Sequence, residues 1–218
     1  MTRRFRYARV MKKIALQKKL TLSALFAALI CAGCFIQIPL PGGIPIAIQD
    51  MMAMLSGLLL GPIFGALSVL IFLALGCLGL PVFTGKAGVH VLIAGPTSGF
   101  LWGYLLAAIL GGTLLALFEL AMNASESKPK TDGSSESEGK PKTAGQIARL
   151  ALIALAALLA TIILFACGAA GGLFIMKLPL SKVVAAFILP FIPGNAIKIV
   201  LMVFLTKKFR PAIQAYAS

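Results

Sequence analysis

Charge is scarce in this chain, and negative charge scarcest. Of its 218 residues, six are Asp or Glu and one is His. Glu126, Asp132, Glu136 and Glu138 fall within one polar segment, which leaves Asp50 and Glu119 for everything else. Carboxylates this sparse exclude the paired acid–base sites of many hydrolases. The single histidine, His90, ends a loop and makes no triad or metal cluster, so it reads as a structural donor. No Gly-x-x-x-x-Gly-Lys-Ser/Thr loop is present, so the chain does not hydrolyse ATP by itself. With no nucleophile–base pair in its apolar stretches, it is expected to have no catalytic residues, to be no enzyme and to need no cofactor or metal. Cysteine is also rare. Cys31 and Cys34 form a C-x-x-C, but neither a second pair nor a nearby His supports a metal site, so they and Cys77 and Cys167 read as small buried thiols.

What the chain has in excess is hydrophobicity: 60% of residues are apolar, and the mean hydropathy is +1.00. That composition marks a polytopic membrane protein. Six apolar stretches can be drawn, at residues 20–38, 46–60, 62–80, 95–122, 146–176 and 182–206, against the ~20 residues that span a bilayer. The expected fold is therefore all-α and integral to the membrane, with six transmembrane helices. A basic arm (residues 1–19) precedes helices 1–4 (20–122). A polar linker (123–145) leads to helices 5–6 (146–206), and a basic tail (207–218) follows. No inverted repeat of the kind common in secondary transporters is visible. A signal peptide is not expected, because no small-residue cleavage site follows the first long apolar run.

The formal charge of +14 is concentrated. Arg3, Arg4, Arg6, Arg9, Lys12, Lys13, Lys18 and Lys19 all precede the first span. Nucleic acid is not the expected partner, because no aromatic–basic platform accompanies them. Basic residues collect on the cytoplasmic side and suit anionic membrane lipid. With the N-terminus inside, the linker and the segment Lys207, Lys208, Arg210 are also inside, and the outer loops carry only Lys86, Lys177 and, at the margin, Lys182. Both termini are thus expected to be cytoplasmic.

The most informative stretch runs from Phe187 to Phe204. It is apolar almost throughout, yet it holds Asn195 and Lys198. An ammonium at bilayer depth costs roughly 2.5–3.5 kcal/mol on the mildest scales, so it is expected to have a partner or a ligand. The spacing of three puts both groups on one helix face. Pro190, Pro193 and Gly194 loosen the backbone before that face, and broken helix is tolerated at this depth only beside a cavity or inside protein. Elsewhere, Pro39 to Pro45 is a Pro/Gly loop, and residues 79–90 form a Gly-hinged loop with apolar anchors, suited to cap a pocket. Asp50 reads as a helix-start carboxylate. Trp102 and Tyr104 are open to two readings, stacking on a bound ring or forming an interfacial aromatic pair. Ala24, Ala28 and Ala32 make a small-residue stripe for close helix approach, within this chain or against another.

Four segments together resemble the BioY family: Gln49-Asp50, Gly79-Leu80-Pro81-Val82-Phe83, Gly95-Pro96-Thr97-Ser98-Gly99-Phe100, and Pro190-Phe191-Ile192-Pro193-Gly194-Asn195-Ala196-Ile197-Lys198. BioY proteins are the biotin-binding S components of energy-coupling-factor (ECF) vitamin transporters. The resemblance implies a six-helix S-component bundle in the cell membrane, an extracytoplasmic biotin pocket, and as partners a T component and two ATPase subunits. Within the matching segments it points to Gln49, Thr97, Asn195 and Lys198 as substrate-binding candidates, and Ala24, Ala28 and Ala32 match the stripe that docks the T component. On the chemistry of the residues themselves, Lys198 and the outer-loop cation Lys86 are the two candidates to meet the valerate anion, and Tyr104 is a further candidate to meet the bound ring. Asn195 stands where the family's Asp-x-x-Lys motif has its aspartate. The competing expectation is an S component or secondary carrier for another small carboxylated vitamin.

Overall fold

The structure is a computed structural model, and it describes residues 2–38, 46–126 and 142–217. Part of the Pro/Gly loop (39–45) and most of the polar linker (127–141) lie outside the described residues. Five helices are long and apolar enough to cross a membrane: Lys13–Gly33, Gln49–Cys77, Ser98–Met122, Gly145–Ile175 and Leu180–Ala217. The only strands among the described residues are β1 (Gln37–Ile38) and β2 (Ile46–Ala47), paired antiparallel at the ends of the Pro/Gly loop.

Helix α1 (Thr2–Gly33) is continuous, and the basic arm runs through its first half. Helix α2 (Gln49–Cys77) is not one rod. Gly61 has φ 81° and ψ 177°, an extended left-handed backbone open to glycine, and Pro62 follows. A Cβ added to Gly65 would lie 2.5 Å from the Gly57 Cα, and Ser56 Oγ donates to the Gly65 carbonyl at 3.3 Å. In a straight helix those residues would be about 12 Å apart along the axis. The chain therefore doubles back at Gly61–Pro62, and residues 49–60 pack against residues 62–77. Glycine is required at this crossing, because α4 (Ser98–Glu126) also presses in: a Cβ on Gly112 would sit 2.6 Å from the Gly57 carbonyl oxygen.

The short helix α3 (Val89–Ala94) precedes α4, and α5 (Lys142–Ala170) packs along α4. Both α4 and α5 extend into the segment read as linker. The end of α5 widens into a π turn at Gly171–Ile175, and α6 (Leu180–Val183) opens the last span. That span then passes through a π turn (Val184–Ile188) and a 3-10 turn (Leu189–Phe191) before α7 (Ile192–Ala217). The broken backbone expected around Pro190 and Pro193 is thus present. It comes just before Asn195 and Lys198. Helix α7 continues to Ala217, so the segment read as a basic tail is helical, and Arg210 within it is buried.

Candidate ligand-binding site

Two short segments, far apart in sequence, meet at one end of the bundle. The first is the start of α2, where Gln49 and Asp50 follow the turn at Ile48. The second is the first two turns of α7, which carry Asn195 and Lys198. Lys198 Nζ lies 2.7 Å from Asp50 Oδ1 and 2.8 Å from Oδ2, with side chains 8% and 12% exposed. Asp50 Oδ1 also accepts from the Met51 amide at 2.7 Å, as expected of a carboxylate opening a helix. The sequence reading recognised that helix-start role and missed the second one: Asp50 is the counter-ion of the buried ammonium. The signal was available. Asp50 and Glu119 are the two carboxylates outside the polar segment, Lys198 and Arg210 are cations that end up buried, and low-dielectric surroundings favour pairing. The second pair also forms, with Arg210 Nε 2.8 Å from Glu119 Oε1 and Nη2 2.8 Å from Oε2.

Around the first pair lies a set of amides with acceptors to spare. Asn195 Nδ2 donates to the Phe191 carbonyl at 2.8 Å, one turn back. Gln49 Nε2 donates to the Val82 carbonyl at 3.2 Å. The Asn195 Oδ1 and Gln49 Oε1 oxygens are buried and have no hydrogen-bond partner among the described residues. Such an oxygen forfeits about 1–3 kcal/mol unless something donates to it. Ser98 Oγ, at the start of α4, is in the same condition.

Aromatic rings wall this end. Tyr104 is buried. Its ring centroid is 6.3 Å from that of Phe72, which meets Phe83 edge-on at 5.5 Å. Phe100 contacts Phe165, Phe187 and Phe191 at centroid distances of 6.0–6.4 Å. The two α4 aromatics therefore part company: Tyr104 faces inward, whereas Trp102 is 49% exposed on the outer surface of the bundle.

The loop after α2 is held down at several points. Phe83 is fully buried, and it bridges to Lys86 through two backbone hydrogen bonds of 2.9 and 3.0 Å. Cys34 Sγ reaches the Pro81 carbonyl, and the Gly88 amide donates to the Gly76 carbonyl at 2.9 Å. Lys86 itself is exposed, and Thr97 is half-buried in the turn before α4. Of the six residues expected to meet a substrate, Gln49, Asn195 and Lys198 are thus brought together around Asp50 and Tyr104 is buried against Phe72, while Lys86 and Thr97 stand on connecting segments nearer the surface. Ala24, Ala28 and Ala32 share an exposed face of α1.

Two cavities, of about 390 and 210 Å3, open at the other end of the bundle. Arg210, which lines both, is about 18 Å along α7 from Lys198. Neither adjoins the Lys198–Asp50 pair.

The chain is similar to known proteins along nearly all of its length. The BioY family pattern matches residues 6–215. The chain is 46% identical over 101 residues to the biotin transporter BioY of Rhodobacter capsulatus, covering 46% of this chain and 53% of that protein. It is 42% identical over 98 residues to the biotin transporter BioY of Thermotoga maritima, with 44% and 57% covered. It is 41% identical over 95 residues to a probable biotin transporter BioY of Pyrococcus horikoshii, with 44% and 58% covered. Each aligned stretch spans about half the length of the relative. The fold is similar to the crystal structure of the S-component for biotin from an ECF-type ABC transporter, with a TM-score of 0.68 and 29% identity, over 97% of this chain and 95% of that one. A helical membrane bundle with these four motifs, matched by the family pattern from residue 6 to residue 215, belongs to the BioY family.

Proposed function

We propose that this chain is the biotin-binding membrane subunit of an ECF-type transporter. It captures biotin at the outer face and delivers it across the membrane with a T component and two ATPase subunits, which supply the energy. The observation that carries this reading is the enclosed polar set at one end of an apolar bundle: a neutralised ion pair flanked by two amide oxygens that lack donors. Its support is the likeness, over nearly the full chain, to a solved S-component for biotin.

Six spans with cytoplasmic termini are the topology that suits this role. In this reading the two arms that the Gly61 reversal makes of α2 count as two spans. The basic residues of α1 and of the end of α7 then fall on the inner side, in keeping with the positive-inside rule. The protein is accordingly a multi-pass protein of the bacterial plasma membrane. The Lys198 end faces outward, and Ala24, Ala28 and Ala32 form the exposed stripe on which the T component docks.

The chemistry divides the ligand in two. The ureido group of biotin offers two N–H donors and one carbonyl acceptor and carries no charge. Asp50 and the amide oxygens of Asn195 and Gln49 accept from the N–H groups, and Lys198 donates to the carbonyl. The valerate is an anion, and beside Asp50 it meets a like charge. Lys86, exposed on the outer loop, is its better partner, with the hydroxyl of Thr97 as a second donor. The Tyr104 and Phe72 rings give the fused rings an apolar wall.

Biotin titration of the purified protein tests the division. Lys86→Gln is expected to weaken biotin by about tenfold, the worth of one charge-assisted hydrogen bond, while leaving biotin methyl ester unchanged. Lys198→Ala is expected to weaken both by at least about tenfold. Unaltered biotin affinity in Lys198→Ala would remove the pair from the site. Mass spectrometry of small molecules retained through purification checks the ligand itself; recovery of a different carboxylated vitamin would replace biotin in this reading.

A further inference from the structure

The larger cavity, about 390 Å3, lies between α4, α5 and α7 at the end of the bundle remote from Lys198. Its lining is graded. Leu115, Phe118 and Ile153 give it an apolar floor, and Leu115 is about 10 Å deeper along α4 than Met122 at the rim. Arg149 and Lys207 stand at the mouth, exposed, beside Gln146 and Gln214. Arg210 is committed elsewhere: it pairs with Glu119, and its Nη1 donates to the Leu58 carbonyl. Its charge is thereby largely offset, and the net positive charge of the lining comes from Arg149 and Lys207. A second observation points to an occupant. Thr206 lines the same cavity, is fully buried, and its hydroxyl has no hydrogen-bond partner among the described residues. A buried hydroxyl of this kind carries a desolvation cost unless a ligand satisfies it.

A site with two cations and two amides at its mouth, an unpartnered hydroxyl within and an apolar floor suits an anion with a hydrocarbon tail. The mouth is at the ends of the spans, since Met122 closes one candidate span and Gly145 opens the next. That is the depth of lipid headgroups, where basic pockets between membrane helices hold phosphate. We propose that this cavity binds an anionic phospholipid. Its phosphate meets Arg149 and Lys207, a polar oxygen near the glycerol meets Thr206, and one acyl chain lies along Leu115 and Ile153. The site is separate from the biotin site, about 18 Å away along α7, and does not depend on the biotin assignment.

The test uses the full-length protein in detergent and follows thermal unfolding with three additions: phosphatidylglycerol, phosphatidylcholine and inorganic phosphate. Phosphatidylglycerol at about a hundredfold excess over its Kd is expected to raise Tm by roughly 5–10 °C, and the other two by far less. The Arg149→Gln/Lys207→Gln variant is expected to lose the phosphatidylglycerol shift while keeping the parent's cooperative unfolding transition in the absence of lipid, which shows that it has folded. Native mass spectrometry should show one phosphatidylglycerol retained by the parent and not by the variant. Equal shifts from phosphatidylglycerol and phosphatidylcholine, or an undiminished shift in the variant, would overturn the proposal. Equal shifts from inorganic phosphate and phosphatidylglycerol would overturn the lipid assignment and leave a free-phosphate site.

Discussion

Cutting one end of the Lys198–Asp50 pair should cost more than cutting both. The two side chains are 8% and 12% exposed and in bidentate contact at 2.7 and 2.8 Å. Removing one partner of such a pair leaves a desolvated charge, a loss of about 3–5 kcal/mol. For a chain of this size that lowers Tm by roughly 6–20 °C. Replacing both groups with apolar residues of similar volume leaves no orphan charge and is often close to neutral. Asp50→Leu and Lys198→Met should therefore each be strongly destabilised, and the double variant should recover most of the loss. The assay is thermal unfolding of the three variants and the parent in the same detergent, read as a double-mutant cycle. The double variant serves a second purpose. On the proposed division of the ligand it should be folded and yet bind biotin at least about a hundredfold more weakly, the worth of two charge-assisted hydrogen bonds. Single losses that simply add would refute the pairing argument. A folded double variant with parental biotin affinity would refute the site.

Three further outcomes are expected. A methyl added at Gly76 would lie 2.2 Å from Phe83 Cζ, so Gly76→Ala should displace the Phe83 anchor at about 1–3 kcal/mol and make residues 80–90 more sensitive to protease; an unchanged cleavage rate would contradict the anchoring role. In the parent, saturating biotin should protect that same loop, and equal cleavage with and without biotin would count against its acting as a lid. Ala28→Trp, on the exposed face of α1, should leave biotin affinity intact while abolishing co-purification of the T component and ATPase subunits; retained co-purification would move the docking surface elsewhere.

The residues that lipid constrains were legible in the chain itself. Long apolar runs had to become helices, because a bilayer offers backbone groups no other partner. The prolines at 190 and 193 had to break one of them, and the spacing of Asn195 and Lys198 had to put both on one flank. Gly61-Pro62 announced a turn inside what is otherwise one apolar segment of 29 residues. All of these are local consequences of backbone chemistry and period.

Which surface met which was another matter. Helices that are apolar on nearly every side carry little periodicity to say which face turns inward, so nothing separated buried Tyr104 from exposed Trp102 two residues earlier. Nothing local joined Lys198 to a carboxylate 148 positions away, or drew Arg210 out of an apparently solvated tail to meet Glu119. Ion pairing inside a membrane depends on distances between helices. Those were decided by small residues crossing at Gly57, Gly65 and Gly112, and only in the assembled bundle do they bring Asp50 up against the ammonium it neutralises.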